Sequence, residues 1–181
     1  NQLGKPAPRA GKQPSGPSEG AFPDLPVSLK QLNLASNCFS SIPRPIVSVK
    51  LINLEKLDLS YNQLATVPAE ISNLTNLQEL NLDNNMIVAL PEEVGRLANL
   101  KSLSLRDNQF QVTSTLFNDT TNPQPLPKSL FTSTLLIDLN LHGNRMTNTQ
   151  LNQFEGFQDF LDRRQKVKSK TMSNLDVCGL K

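Results

Sequence analysis

The feature that most constrains this chain is a motif, L-x-x-L-x-L-x-x-N-x-L, which recurs five times with Leu, Ile, Phe or Met at its last position. The matches begin at Leu29, Leu54, Leu77, Leu100 and Leu136, so successive starts are 25, 23, 23 and 36 residues apart. Self-similarity at a period of roughly 20 to 50 residues is typical of solenoids, whose repeats bury their apolar faces against one another. An ordinary amphipathic helix does not explain a shared asparagine register, so we predict a solenoid.

The spacing inside the motif has a physical reason. The second and third leucines lie two residues apart and therefore point to the same face of an extended strand. The asparagine follows where the chain leaves the strand, and its amide can both donate to and accept from main-chain groups that the turn leaves unpaired. We therefore predict stacked leucine columns and a ladder of asparagines. The ladder consists of Asn37, Asn62, Asn85, Asn108 and Asn144.

In three repeats a proline follows the asparagine by six residues, at Pro43, Pro68 and Pro91. Proline has a fixed φ and no N–H, which suits a chain that leaves the sheet. The segments that follow Pro68 and Pro91 carry apolar residues at one-turn spacing, which predicts short helices or 3₁₀ turns. The predicted fold class is an α/β leucine-rich-repeat solenoid with a curved, parallel concave sheet and these short elements on its convex side.

Composition shifts divide the chain into segments. Residues 1–24 are rich in Pro and Gly and are expected to be disordered or extended, although N-Q-L-G-K-P at residues 1–6 loosely resembles half a repeat. The chain starts at Asn1 rather than Met, which is compatible with a natural start further upstream. Residues 25–148 hold the five repeats, with a 13-residue insertion expected to form a loop near 111–125. That loop is either functional or a tolerated insertion.

A change of periodicity follows the last repeat. Apolar residues then recur at three- and four-residue spacing, which predicts an amphipathic capping helix over 149–170, followed by a tail at 171–181. The apolar positions are Leu151, Phe154, Phe157, Phe160 and Leu161. Within this segment the basic run of residues 163–170 is either a solvated helix end or a surface for phosphate, lipid or an import receptor.

Composition argues against several classes of function. The chain has 18 Lys and Arg against 16 Asp and Glu, a net charge of +2, which is too small to predict nucleic-acid binding. The sequence contains no run of about 18 apolar residues, so no membrane span is predicted. The single histidine, His142, lies four repeats from Cys38, too far for a catalytic pair, and no phosphate loop, cofactor motif or metal motif occurs. We therefore predict a non-enzymatic protein without cofactors or metal.

Two further features bear on the compartment. Cys178 follows the predicted capping helix, at the other end of the solenoid from Cys38, so the two are too far apart for a disulfide. Both are expected to be free thiols, which favours an intracellular and cytoplasmic location. Asn73 and Asn118 each begin a glycosylation sequon, which keeps a secreted alternative open.

The polar residues between and just after the strand leucines are predicted to line the concave face, where a partner would bind. Tyr61 and Arg106 are the best single anchors, because Tyr and Arg dominate interface hot spots. The alternative is that this array is only a solvated sheet face. The candidate partner-binding residues are Lys56, Asp58, Tyr61, Glu79, Asn81, Asp83, Arg106, Asp107, Asp138 and His142.

The Pro-punctuated 23-residue repeats and the segment F-E-G-F-Q-D-F-L-D-R-R-Q-K at 154–166 resemble intracellular leucine-rich-repeat proteins of the Ras-related group and the small cytosolic proteins close to them. The resemblance implies a non-enzymatic adaptor or scaffold that binds a protein through the concave face, the loop and the tail. Two alternatives are a structural subunit of a large assembly and a fragment of a secreted or receptor ectodomain. Neither the residues nor the resemblance identifies the partner.

Overall fold

The computed structural model of the protein describes residues 25–112 and 124–177. Over these ranges, each of five coils contributes one short strand to a single sheet, in the spatial order β1-β2-β3-β4-β5. All four strand pairs are parallel. The strands are β1 (Gln31–Asn33), β2 (Lys56–Asp58), β3 (Glu79–Asn81), β4 (Ser102–Ser104) and β5 (Asp138–Asn140).

The register of the sheet aligns the second leucine of every motif. Leu32, Leu57, Leu80, Leu103 and Leu139 are direct partners along the five strands. The three central members of this column are at most 2% exposed, and the next leucine in each of these coils is fully buried. The predicted leucine columns are therefore confirmed, and they form the core because each coil covers the apolar residues of its neighbours.

The convex side carries 3₁₀ turns and one short helix, as the spacing predicts. These elements are the 3₁₀ turns Val49–Leu51, Ala69–Asn73 and Glu92–Arg96 and the helix α1 (Lys128–Thr132). Pro68, Pro91 and Pro127 immediately precede three of them, with φ between −72° and −73°. A proline fits at this position because the first amide of such an element has no partner within it.

The predicted asparagine ladder is also confirmed. The amide nitrogen of Asn62 donates to Leu34 O and Leu59 O, both at 3.0 Å, while its amide oxygen accepts from Phe39 N at 3.1 Å. Asn85 and Asn108 repeat the pattern one and two coils further along. Asn62, Asn85, Asn108 and Asn144 therefore each link their own coil to the preceding one, whereas the amide nitrogen of Asn37 donates within its own turn.

A second asparagine ladder, which the sequence analysis missed, runs at the start of the repeats. The amide nitrogens of Asn53, Asn76 and Asn99 each donate to a main-chain oxygen of the preceding coil, at 2.9–3.0 Å. The available signal was the Asn-Leu pair that opens three of the motifs. In the fifth repeat this position is Leu135, which is 51% exposed.

The segment after the repeats contains two helices, so the prediction of one helix across 149–170 is corrected. They are α2 (Asn148–Leu151) and α3 (Phe157–Val177). Gly156 separates them with φ +83°, a left-handed conformation that helices do not contain. Apolar spacing continues across this break because Phe154, in the intervening turn, is buried along with Phe157 and Phe160.

These phenylalanines pack on the final convex helix. The rings of Phe154, Phe157 and Phe160 lie 5.4–6.5 Å from that of Phe131 in α1. The apolar residues after the repeats therefore cover part of the last coil. The expectations for residues 1–24 and for Cys178, and most of the expected insertion loop, lie outside the described residues.

Candidate interaction surfaces

The first candidate surface is a shallow trough of about 480 Å³ on the concave face of β1 to β4. Five of the predicted residues line it together, namely Lys56, Asp58, Glu79, Asn81 and Asp83. The other five are not part of this lining. Tyr61, Arg106 and Asp107 follow their strands, while Asp138 and His142 belong to the last coil.

The charged residues at the start of the strands are already paired with one another. Lys56 Nζ lies 2.7 Å from Glu79 Oε1, and Lys30 Nζ lies 2.9 Å from Glu55 Oε1. The hydrogen bond that Lys30 donates to the carboxylate of Glu55, together with the charge of that carboxylate, raises the pKa of Lys30 above its usual value. Because these pairs are exposed, they organise the face more than they stabilise the fold.

The last residues of the five strands form one column across the concave face. Asp58 Oδ1 accepts from Ser60 N at 2.9 Å and from Ser60 Oγ at 2.7 Å. The amide oxygens of Asn33, Asn81 and Asn140 make the same contact with the main-chain N–H two residues later. Asp58 and Asn81 are therefore structural residues as well as candidate contacts.

The fourth repeat has a shorter side chain at this position, and a neighbouring coil supplies the missing acceptor. Asp83 Oδ1 accepts from Ser104 Oγ at 2.6 Å and from Arg106 N at 2.7 Å. The guanidinium of Arg106 in turn lies 2.9 Å from Asp107 Oδ2. Asp83, Arg106 and Asp107 thus form one connected cluster. The sequence had indicated them only as three separate candidates.

The residue before each ladder asparagine has a left-handed backbone. Ser36, Tyr61, Asn84 and Asp107 have φ between 51° and 58°, which is uncommon outside glycine. The N–H of Tyr61 donates to Asp83 O at 2.8 Å, which helps to fix this conformation, and 60% of Tyr61 is exposed. The fold therefore holds the backbone of the one tyrosine rigidly beside the trough and leaves its ring available.

A second surface, which the sequence analysis did not identify, lies at the end of the solenoid. We call it the terminal groove, a space of about 710 Å³ between the last coil and the helices α2 and α3. It is lined by Leu139, Leu141, His142, Gly143, Asn144, Met146, Asn148, Leu151, Asn152, Phe157, Phe160, Leu161 and Arg164. The available signal was that residues 147–181 contain no further leucine motif, and β5 is the last strand of the described sheet.

The basic run of α3 divides between two environments. Arg163 is directed at α1, where its guanidinium donates to the main-chain oxygens of Thr134 and of Phe131, the latter at 2.6 Å. The next residue, Arg164, lines the terminal groove and is half-buried. Lys166 and Lys168 are exposed. Only the later part of this run is therefore solvated, and it is not a helix end because α3 continues to Val177.

Other features of chemical interest are few. Cys38 is an exposed free thiol. Over residues 25–112 and 124–177, no three His, Cys, Asp or Glu side chains lie close enough together to hold a metal ion. Within the same ranges no helix has the length and apolar character needed to cross a membrane.

Repeated coils, a parallel concave sheet and two asparagine ladders define a solenoid of the leucine-rich-repeat class. The Leucine rich repeat family model matches residues 28–87 and, in a second overlapping match, residues 52–110. The protein is a leucine-rich-repeat protein.

Solved structures with similar folds include a leucine-rich-repeat protein of Leptospira interrogans, with 38% identity and a TM-score of 0.52 over 64% of this chain. An internalin C2 of Listeria monocytogenes matches 72% of the chain with 27% identity and a TM-score of 0.50. The chain spans 26% and 50% of those two structures. Among curated proteins, a probable serine/threonine-protein kinase, roco5, of Dictyostelium discoideum is 57% identical over 44 residues, which are 24% of this chain and 2% of the kinase. The match to the kinase is a short leucine-rich-repeat fragment.

Proposed function

We propose that this protein is a non-catalytic adaptor or scaffold that binds another protein through its concave face, with Tyr61 as the main anchor. Leucine-rich-repeat domains generally mediate protein–protein interaction. The observation that carries the proposal is the pre-organised concave face, whose polar side chains are held by one another while the ring of Tyr61 stays exposed. A rigid surface loses little entropy on binding, so its contacts translate efficiently into affinity.

The pairing within the concave face indicates what kind of partner fits. Lys56 pairs with Glu79 and Arg106 with Asp107, while the carboxylates of Asp58 and Asp83 accept from neutral hydroxyl and main-chain donors. The face therefore offers many hydrogen-bonding groups and a mild excess of negative charge. The trough is shallow and its surface is about equally polar and apolar, which suits a wet interface around a few anchors. We therefore infer a folded protein surface as the ligand. A small molecule would need a deeper and more apolar site.

We further propose an intracellular and cytoplasmic location, on two observations. Cys38 presents a free thiol at the surface, which is typical of reducing compartments. Asn73, the first residue of a sequon, is half-buried, and its amide nitrogen donates to Val47 O at 3.0 Å. Glycosylation would require that nitrogen, so this hydrogen bond disfavours a glycan on Asn73, which is the modification that the secreted alternative predicts there. A glycan on Asn73 of native material would contradict this proposal.

The proposal is tested with the double variant Tyr61→Ala/Arg106→Ala. Cross-linking of the native protein in its source cells, followed by mass spectrometry, identifies the bound chains. We expect the double variant to lose the main cross-linked partner by about tenfold or more, because hot-spot residues each contribute roughly 2 kcal/mol or more. The matched control is Val49→Ala/Lys50→Ala, which removes two exposed side chains from the convex side.

The two outcomes separate clearly. If the concave face binds the partner, the convex control keeps the wild-type cross-links and the concave double variant does not. If both variants keep every partner, the concave face is only a solvated sheet surface and the proposed binding mode is wrong. Circular dichroism of each variant verifies that the solenoid is intact.

A further inference from the structure

The last coil of the solenoid is less completely covered than the coils before it. In the fourth coil Leu103, Leu105 and Phe110 are at most 1% exposed, whereas the equivalent residues of the fifth coil are only half-buried. Those residues are Leu139, Leu141 and Met146. The helices α2 and α3 therefore cap the convex part of the coil and leave its strand side facing the terminal groove.

The main chain of the last strand is open on the same side. Asp138 N donates to Lys101 O at 3.0 Å, and Asn140 O accepts from Leu105 N at 2.8 Å, so these residues use the edge of β5 that faces β4. Successive residues of a parallel strand alternate between its two edges. Leu139 and the N–H of Leu141 therefore face the other edge, where the sheet order ends.

The asparagine ladder ends at the same place. In each earlier coil the residue two positions after the ladder asparagine donates its N–H to the next asparagine, as Phe110 does to Asn144 Oδ1 at 3.1 Å. No asparagine of a sixth repeat follows to accept from the corresponding N–H of Met146. The last coil thus presents main-chain groups that an added strand would satisfy.

The charge of the terminal groove is one-sided. Its lining contains the cation Arg164 and no acidic residue. Arg164 is half-buried, and it has no ion pair among the residues that the structure describes. A half-buried arginine gains most from a carboxylate, which accepts two parallel hydrogen bonds.

We propose that the terminal groove binds an extended acidic segment of a partner protein as a sixth strand on the free edge of β5. Alternate apolar side chains of that segment pack on Leu139, Leu141 and Met146, and a carboxylate side chain pairs with Arg164. Main-chain hydrogen bonds supply affinity in this mode, and the pockets for alternate side chains supply specificity. This inference deepens the proposed protein-binding function, but it uses a surface separate from Tyr61, so the two fail independently.

The experiment selects ligands for the immobilised whole chain from a random linear peptide library displayed on phage. Phage that also bind the Arg164→Glu variant are removed by counter-selection. We expect enrichment of peptides that combine alternating apolar residues with Asp or Glu. For the best synthetic peptide, Arg164→Glu should raise Kd by about tenfold or more, the equivalent of roughly 1.4 kcal/mol. The matched control is Lys166→Glu, the same charge reversal on an exposed position of α3, which should change Kd by less than about twofold.

Strand addition is distinguished from other binding modes by N-methylating the peptide main chain one residue at a time. A bound strand directs alternate N–H groups at β5, so the loss of affinity should alternate along the peptide. Tyr61→Ala/Arg106→Ala should leave peptide binding unchanged, whatever its effect on the concave partner.

Several outcomes overturn the inference. They are no enrichment over the Arg164→Glu variant, equal sensitivity to Lys166→Glu, or N-methylation effects that do not alternate. Light scattering tests a fourth outcome. If the protein self-associates and Arg164→Glu abolishes this association, the terminal groove binds a second copy of the chain. Enriched peptides that match residues 1–24 of the chain would point instead to an internal occupant.

Discussion

Asn85 is 7% exposed, yet both ends of its amide have partners: the nitrogen donates to Leu59 O and Leu82 O at 3.0 Å, and the oxygen accepts from Leu64 N at 3.0 Å. A single side chain therefore satisfies buried main-chain groups of two coils. Buried polar groups without partners are costly, so this residue type is required at the position rather than merely tolerated.

We expect Asn85→Ala to lower the free energy of unfolding by about 2 to 4 kcal/mol, because each buried group left unpaired costs roughly 1 to 3 kcal/mol. Urea denaturation measures the change. Asn37→Ala is the matched control, since Asn37 is exposed and the hydrogen bonds of its amide nitrogen lie within its own turn, to Leu34 O and Ala35 O. Equal destabilisation by the two substitutions would show that the ladder does not hold the coils together.

At the scale of secondary-structure elements, the attachment of α3 depends on one side chain as well as on the phenylalanine cluster. The guanidinium of Arg163 spans the end of α1 by donating to Phe131 O and Thr134 O. Main-chain oxygens at a helix end lack partners within the helix, and a cation is the most favourable donor for them. Arg163 therefore fixes the angle at which the cap leaves the repeats.

We expect Arg163→Ala to lower the free energy of unfolding by about 2 kcal/mol, since hydrogen bonds of charged donors contribute roughly 1.5 to 3 kcal/mol. Thermal and urea unfolding provide the measurement. Lys166→Ala removes an exposed cation from the same helix and should change stability by no more than about 0.5 kcal/mol. If the two substitutions have the same effect, the cap is held by apolar packing alone.

The elements also show how far the sequence predicts this structure. The leucine columns, the asparagine ladder and the convex turns are predictable because their signal is local and repeats at a fixed period. The break at Gly156 is not, because Phe154 keeps the apolar spacing through the turn. The role of Arg163 is equally hidden, since its partners are main-chain oxygens about 30 residues away.

The candidate site was predictable to a similar degree. Alternation along the strands is sufficient to place Lys56, Asp58 and Glu79 on the concave face, and the structure brings them together in the trough. Their pairing depends on the register between coils, which the sequence does not state. Asp83, for example, serves Ser104 and Arg106 of the next coil because Ser104 is too short to take the place of an Asn or Asp.

At the scale of the whole molecule, each coil contacts mainly its neighbours, so stability is the sum of contributions of coils and of the interfaces between them. Within residues 25–112 and 124–177, the first and the last coil each have a neighbouring repeat on one side only. Burial follows this rule, because the strand leucines of β2, β3 and β4 are at most 2% exposed while Leu32 and Leu139 are half-buried. Local opening should therefore require least free energy at the terminal strands.

Native-state amide hydrogen exchange measures this gradient directly. We expect the strongest protection at the main-chain N–H groups of β3, which donate within a sheet flanked on both sides by two further strands, and weaker protection at β1 and β5. The difference between β3 and β5 should amount to about 2 kcal/mol of opening free energy, the order of a single coil interface in proteins of this marginal stability. Uniform protection across the five strands would contradict the prediction, because it would mean that the solenoid opens as one cooperative unit.

If a sixth strand adds to β5, the ligand peptide should raise protection at β5 and leave β1 unchanged, since the two edges lie at opposite ends of the sheet.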